Sequence, residues 1–313
     1  MHIDIYLVLG SAVVGLLVGL TGMGGGALMT PMLVLLFGIA PSAAIASDLM
    51  AALFMKPLGV AIHWSRRTVN TALVKYLCLG SVPAAFFGTY VMRLIGHSVS
   101  SEHHLQTLLG VALIVGAAAI LTKTLFVESS PRGSDSITVR PVLTVAIGAV
   151  GGFMVGLTSV GAGSLILVLL LVLYPRMRND QLVGTDLAQS LPLTLSATLG
   201  TLMFSHVNFA LTTSIIIGSV PAVVVGSLLS SRSNGFLLRR IITGVVLLSG
   251  IKYVGASPAL LGASAVAIAL FFVYLSTHQW LRIRRESAAA FGSVAEAVED
   301  VFTPLPARLD GDL

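Results

Sequence analysis

Three ionisable residues stand deep inside apolar stretches of this 313-residue chain: Asp48, Lys56 and Asp186. A charge in such surroundings is costly and usually faces a cavity or a partner. Asp48 and Asp186 occupy matching contexts, "SDL" (47–49) and "TDL" (185–187), each about one and a half turns into a long apolar helix. Carboxylates so placed can exchange protons or gate a path; equally, each can brace a neighbouring helix through its backbone N–H groups. Lys56 follows Asp48 by eight residues and His63 follows by seven more, so the three share roughly one helical face. They would make a cationic wall for an anion or a proton relay. The alternative is that Lys56 neutralises a carboxylate while His63 sits at headgroup level beside Trp64. Ser47, Thr185, Thr21 and Thr158 could offer hydroxyl donors to an anion, or bond their own helix backbone.

A second feature is the stretch "GLTGMGGGALMTP" (19–31). Gly22, Gly24 and Ala27 satisfy G-x-G-x-x-A, and Asp48 lies about 20 residues on, as in a dinucleotide-binding loop. Composition argues against that reading. The chain is 56% hydrophobic and 10% charged with mean hydropathy +0.96, against about 25% charged in soluble domains. It cannot cover a water-facing surface, and its apolar runs have helical length, so an all-α polytopic membrane protein is expected. The net charge of +5 is scattered over connections and is no nucleic-acid footprint. Cys78 is the one cysteine, so no intrachain disulfide is expected. No metal-ligand spacing, nucleophile–base pair or Walker motif stands out, so neither a cofactor nor enzymatic chemistry is expected. The first residues, "MHIDIYLVLG", read as a retained membrane segment rather than a signal peptide.

Eleven apolar segments are expected, near 5–21, 27–39, 43–63, 71–94, 105–126, 140–158, 161–174, 183–204, 209–231, 238–255 and 258–276. The second and seventh are too short to cross about 30 Å unaided and read as half-membrane helices. Arginines occupy every second connection: Arg66–Arg67, Arg132 and Arg140, Arg176 and Arg178, Arg232 with Arg239–Arg240, and Arg282 with Arg284–Arg285. The positive-inside rule then places these connections and the C-terminus in the cytoplasm. Trp280 and the last arginines form an interfacial anchor, followed by a short surface helix and a disordered end.

The chain repeats itself. "VNTALVKYLCLGSVPAAFFG" (69–88) aligns without gaps on "VNFALTTSIIIGSVPAVVVG" (207–226), with ten identities in twenty positions. The same offset joins the two acidic motifs, and an offset smaller by one joins "VGLTGMGGGA" (18–27) to "VGLTSVGAGS" (155–164). In the second copy Thr194 and Thr201 stand where Lys56 and His63 stand in the first. Each copy holds five segments, so the copies must lie upside down relative to each other, as in many secondary transporters. The glycines then break helices at membrane depth, and the helix N-termini that follow, near Ala27 and Ser164, form an anion site. Gly24, Gly25, Gly26, Gly161, Gly163, Ser47, Thr185 and Lys56 are the expected anion-binding residues, with Asp48 and Asp186 for coupling or gating. Asn70 and Asn208 read as N-caps, and Pro83 and Pro221 should kink their helices. The expected organisation is a first membrane repeat (1–127), a cytoplasmic linker (128–139), a second repeat with a final helix (140–276) and a cytoplasmic tail (277–313).

The twin "GLTGMGGG" and "GLTSVGAG" stretches, Pro31, the "SDL"/"TDL" pair and the twin "VN…GSVPA" blocks resemble the sulfite exporter TauE/SafE family over about residues 5–255. Ser47 replaces a more usual Thr, and Ser159 and Ala162 interrupt the second glycine run. The resemblance implies an exporter of sulfite, a sulfonate or a related small organic anion in the bacterial cytoplasmic (inner) membrane. Proton coupling and a homo-oligomer are left open. The competing expectation is a non-transporting scaffold or regulatory subunit acting through its cytoplasmic tail.

Overall fold

The computed structural model describes residues 4–21, 25–95, 99–126, 138–160, 165–205, 207–229 and 235–272. All regular structure among them is helical: α1 (Ile5–Thr21), α2 (Gly26–Leu35), α3 (Pro41–Ser65), α4 (Thr71–Ile95), α5 (Val99–Phe126), α6 (Pro141–Thr158), α7 (Leu165–Leu173), α8 (Asn179–Phe204), α9 (Phe209–Leu229) and α10 (Gly235–Tyr253). An eleventh apolar helix, α11, covers Pro258–Phe272. Residues 128–137 of the expected linker 128–139 and the tail 277–313 lie outside the described residues. The chain divides into two compact units, Met1–Gly262 and Ala263–Leu313. The first carries α1 to α10; the described part of the second is the apolar remainder of α11.

Among the described residues six helices are long and apolar enough to cross a membrane: α3, α4, α6 and α9, with His103–Thr122 of α5 and Asp180–Phe204 of α8. The chain is a polytopic, all-α membrane protein. Large apolar side chains stand exposed along several of them, among them Leu79, Phe87, Val150, Leu199 and Leu228, as lipid-facing positions do. The short α2 and α7 fall well below spanning length, as expected.

Local chemistry sets the boundaries. Leu73 N–H donates to Asn70 Oδ1 at 3.2 Å and Leu211 N–H to Asn208 Oδ1 at 3.1 Å, so both asparagines are N-caps. Pro141 occupies the first turn of α6, where its missing N–H is harmless. Gly38, at φ 64°, turns the chain between α2 and α3, and so ends α2 earlier than the apolar run suggests. α5 and α8 begin four to six residues before the expected starts, because their polar first turns, "VSSEHH" and "NDQL", continue the helix. α3 likewise begins at Pro41, two residues before its expected start, so both Asp48 and Asp186 sit about two turns in. Pro83 and Pro221 lie inside unbroken helices.

The packing is reciprocal. α4 lies along α6, and α1 lies along α9. Exchanging α1–α5 with α6–α10 turns α1·α9 into α6·α4 and α3·α9 into α8·α4, while α3·α8 and α5·α10 map onto themselves. The correspondence reaches single atoms. A Cβ on Gly15 would meet the backbone of Ser219, and one on Gly152 that of Ser81. A Cβ on Gly19 would meet Val223 O; on the equivalent Gly156 it would meet Ala85 O. Gly218 faces Val8 O as Gly80 faces Val145 O. Residue i meeting j while j's counterpart meets i's is the signature of two halves related by a two-fold axis. The glycines let backbones touch, where helices in lipid must rely on close van der Waals packing.

Candidate functional site

α3 and α8 cross at the middle of this arrangement, and the ionisable residues lie on them. Asp48 is fully buried and Asp186 is 2% exposed. From α2, Thr30 Oγ1 donates to Asp48 Oδ2 at 2.7 Å. Asp48 Oδ1 has no hydrogen-bond partner among the described residues, and Ser159 lies beside the same carboxylate. Ser159 ends α6 in the left-handed region at φ 59°, its N–H bonded to Val155 O at 2.7 Å. A Cβ on Gly26 would fall on the Ser159 carbonyl oxygen, and one on Gly25 would lie 3.3 Å from Met55 Cε. The start of α2 is thus wedged between α3 and the end of α6, with Asp48 joining all three.

The second acid has a different setting. Ser81 Oγ donates to Gln189 Oε1 at 3.1 Å, and Gln189 Nε2 donates to Asp186 Oδ1 at 3.4 Å, linking α4 to α8. Asn70 N–H donates to Thr185 Oγ1 at 3.0 Å, whereas the matching hydroxyl, Ser47 Oγ, is buried with no partner among the described residues. Ser196 Oγ adds a 2.6 Å bond to Val82 O. In the first copy the apolar Ala51 and Leu58 stand in place of Gln189 and Ser196, so these two positions of α3 offer no side-chain hydrogen bond.

Between the acids, the half-buried Lys56 donates from Nζ to Thr194 Oγ1, and lies within electrostatic reach of Asp186 and Asp48. Thr194 Oγ1 in turn donates to Ser190 O at 2.7 Å. Thr198 Oγ1 ties the same pair of helices through Leu49 O at 3.2 Å. The result is a set of polar contacts on helices that otherwise expose apolar surface: Thr30–Asp48 and Asp186–Gln189–Ser81, both buried, and the part-buried Lys56–Thr194.

Of the expected anion-binding residues, Gly25 and Gly26 lie against Met55 and Ser159, beside which the expected coupling residue Asp48 also stands. Ser47 precedes Asp48 on α3, Lys56 bonds α8, and Thr185 accepts from Asn70 N–H. Gly24, Gly161 and Gly163 lie outside the described residues. Thr21 and Thr158 bond their own helices, through Leu17 O and Met154 O at 2.7 Å each. His63 Nδ1 is 2.9 Å from Thr68 Oγ1 and fastens the end of α3 to the turn that follows. Sequence reading missed Thr30 and Gln189. Thr30 is the lone hydroxyl in the apolar run "ALMTPMLV", and Gln189 the lone amide in "DLAQSLPL"; each could have been noticed as a polar residue without a counterpart in the other copy. Among the described residues no group of three or more His, Cys, Asp or Glu stands together.

The profile of the family described as Sulfite exporter TauE/SafE matches residues 7–253. "Probable membrane transporter protein YjnA" of Bacillus subtilis (strain 168) is 37% identical over 256 residues, covering 80% of this chain and all of the relative. "Probable membrane transporter protein YdhB" of the same organism is 24% identical over 216 residues, covering 68% of this chain and 84% of the relative. No solved structure matches.

Proposed function

Because the chain belongs to the sulfite exporter TauE/SafE family of membrane transporters, we propose that it is a secondary carrier exporting sulfite, a sulfonate or a related small organic anion. The anion binds near mid-membrane, where the start of α2 at Gly25 and Gly26 meets Ser159, with Ser47, Thr185 and Lys56 as its polar surroundings. The observation that carries this reading is the pair of buried acids on α3 and α8 with the half-buried Lys56 within electrostatic reach of both. Packing alone does not call for three ionisable groups at such depth, and in a membrane they ordinarily mark a transport path.

The acids are the coupling groups in this proposal. An anion entering the Gly26–Ser159 region approaches the Asp48 carboxylate, and like charges in a low dielectric repel strongly. Protonating Asp48 at Oδ1 removes the repulsion while leaving the Thr30 bond to Oδ2 in place, so a proton and an anion occupy the region together. Asp186 plays the corresponding part at the other mouth. The reciprocal α1·α9 and α4·α6 contacts support two repeats of inverted topology that rock about the α3–α8 crossing. The arginine-bearing connections support a cytoplasmic C-terminus in a bacterial cytoplasmic (inner) membrane.

Flux in proteoliposomes tests the proposal, with sulfite, thiosulfate, taurine, sulfoacetate, acetate and chloride offered under and without a pH gradient. Uptake of one or two of these, lost in Asp48→Asn or Asp186→Asn, is expected. No movement of any anion, while a control carrier works in the same vesicles, overturns it.

A further inference from the structure

Lys56 and Thr194 are the same position in the two copies, 138 residues apart, and they bond to each other. A residue can touch its own counterpart only where the axis relating the copies passes between them. Asp48 and Asp186, by contrast, are exchanged by that axis and lie off it. The chain has one Lys or Arg at this point, on α3; the second copy offers a hydroxyl. α2, α6, α7 and α9 contain no ionisable residue. α4, packed on α8, carries Lys75 and Arg93, both exposed and toward its ends, and α5, packed on α3, carries Glu102, His103, His104 and Lys123 toward its ends.

We infer that Lys56 is the anion-selecting cation of the carrier and that, standing on the axis, it serves the site in both access states. This rests on the carrier reading above. Rocking two inverted halves exchanges their conformations, so every off-axis group finds itself in its counterpart's former setting. The axis exchanges Lys56 with Thr194 too, but these two touch, so the contact between them, and the ammonium in it, keeps its place in both states. The ammonium therefore faces the anion whichever mouth is open, with Thr194 as a fixed acceptor that holds the side chain across the crossing. Asp186 and Asp48 alternate as the nearer acid. One cation suffices for both states, which explains why the second copy keeps a threonine there without loss of symmetry in the surrounding packing.

The inference makes a demand that a merely structural lysine does not: the charge should work equally well when supplied from the other copy. Sulfite flux is measured in vesicles for the wild-type chain, Lys56→Thr, and the exchanged pair Lys56→Thr with Thr194→Lys, each checked for monodispersity. Lys56→Thr should lower flux by about tenfold or more, the loss of one charge-assisted bond. The exchanged pair should return to within about threefold of wild type, since relocating the ammonium to the other copy restores that bond. As a second route, Lys56→Cys in a Cys78→Ala background is treated with aminoethyl methanethiosulfonate, which rebuilds an ammonium of near-lysine length. Flux should recover with this reagent and not with its uncharged methyl analogue.

Three outcomes separate the possibilities. If the wild type moves no sulfite or other offered anion, the carrier reading fails and takes this inference with it. If the wild type moves sulfite and Lys56→Thr does so at the same rate, the carrier stands and the role of Lys56 falls. If Lys56→Thr is inactive and neither the exchanged pair nor the aminoethyl group restores flux, the lysine matters only to its own helix, and its role on the axis is overturned.

Discussion

Lys56 hydrogen-bonds Thr194, the residue that stands at its own position in the second copy. The bond marks where the two halves of the protein meet on equal terms, and it lies between two buried acids that the same relation exchanges. Away from this crossing the halves differ. The second copy carries Gln189 and Ser196 and ties α8 to α4 by side-chain bonds; the first carries Ala51 and Leu58 at those two positions.

Asp48 can be probed by two substitutions with different consequences. Asp48→Asn keeps an oxygen acceptor for Thr30 and should leave thermal stability in detergent nearly unchanged, while abolishing flux driven by a pH gradient. Asp48→Ala leaves the Thr30 hydroxyl without its acceptor and opens a void, and should destabilise by about 1–3 kcal/mol. Equal melting temperatures for the two variants would show that the Thr30 bond contributes nothing.

The glycine seams give a paired prediction. Gly19→Leu and Gly156→Leu occupy equivalent positions, and each forces a side chain into the backbone of the opposite helix at Val223 or Ala85. Both should destabilise, by about 1–3 kcal/mol or more and to similar extents. Gly262→Ala, where a Cβ meets nothing within 4 Å, should leave the melting temperature unchanged. A large difference between the two seam variants would contradict their equivalence.

Ser81 and Gln189 should be coupled. Ser81→Ala and Gln189→Leu, singly and together, form a double-mutant cycle whose interaction energy should be about 0.6 kcal/mol, the average for side-chain hydrogen bonds between membrane helices. Additive effects would mean that the 3.1 Å bond does not stabilise the α4–α8 contact.

Thr71 and Phe209 begin α4 and α9 and are exposed counterparts in the two copies. In a Cys78→Ala background, Thr71→Cys should react with an impermeant thiol reagent only from the cytoplasmic side, and Phe209→Cys only from the opposite side. Labelling of both from one side would rule out inverted repeats.

Much of the fold was legible because lipid imposes simple rules. Apolar run length and arginine spacing located eleven segments, and the "VN" positions announced the N-caps that Asn70 and Asn208 form. Boundaries shifted where polar first turns continued a helix, as at Asn179. The site was half legible. Asp48, Asp186 and Lys56 stand out since charge is rare in an apolar run. Thr30 did not, since a hydroxyl in a helix usually bonds its own backbone, and only the fold brings α2 against α3. That Lys56 would meet Thr194 follows from the position of the axis, which no alignment of the two copies contains.

The α1·α9 seam has a consequence for how the chain is made. Asp4 N–H reaches Ser214 Oγ at 3.3 Å across 210 residues of sequence. At ribosomal rates of about 5–20 residues per second, α1 waits about 10 to 40 seconds in the bilayer before its partner is synthesised. α4 meets α6 much sooner, since α5 alone separates them in the chain. The α4·α6 seam can therefore close well before the α1·α9 seam. For most of that interval α1 presents the bare backbone at Gly15 and Gly19 to lipid or to whatever insertion machinery shelters it.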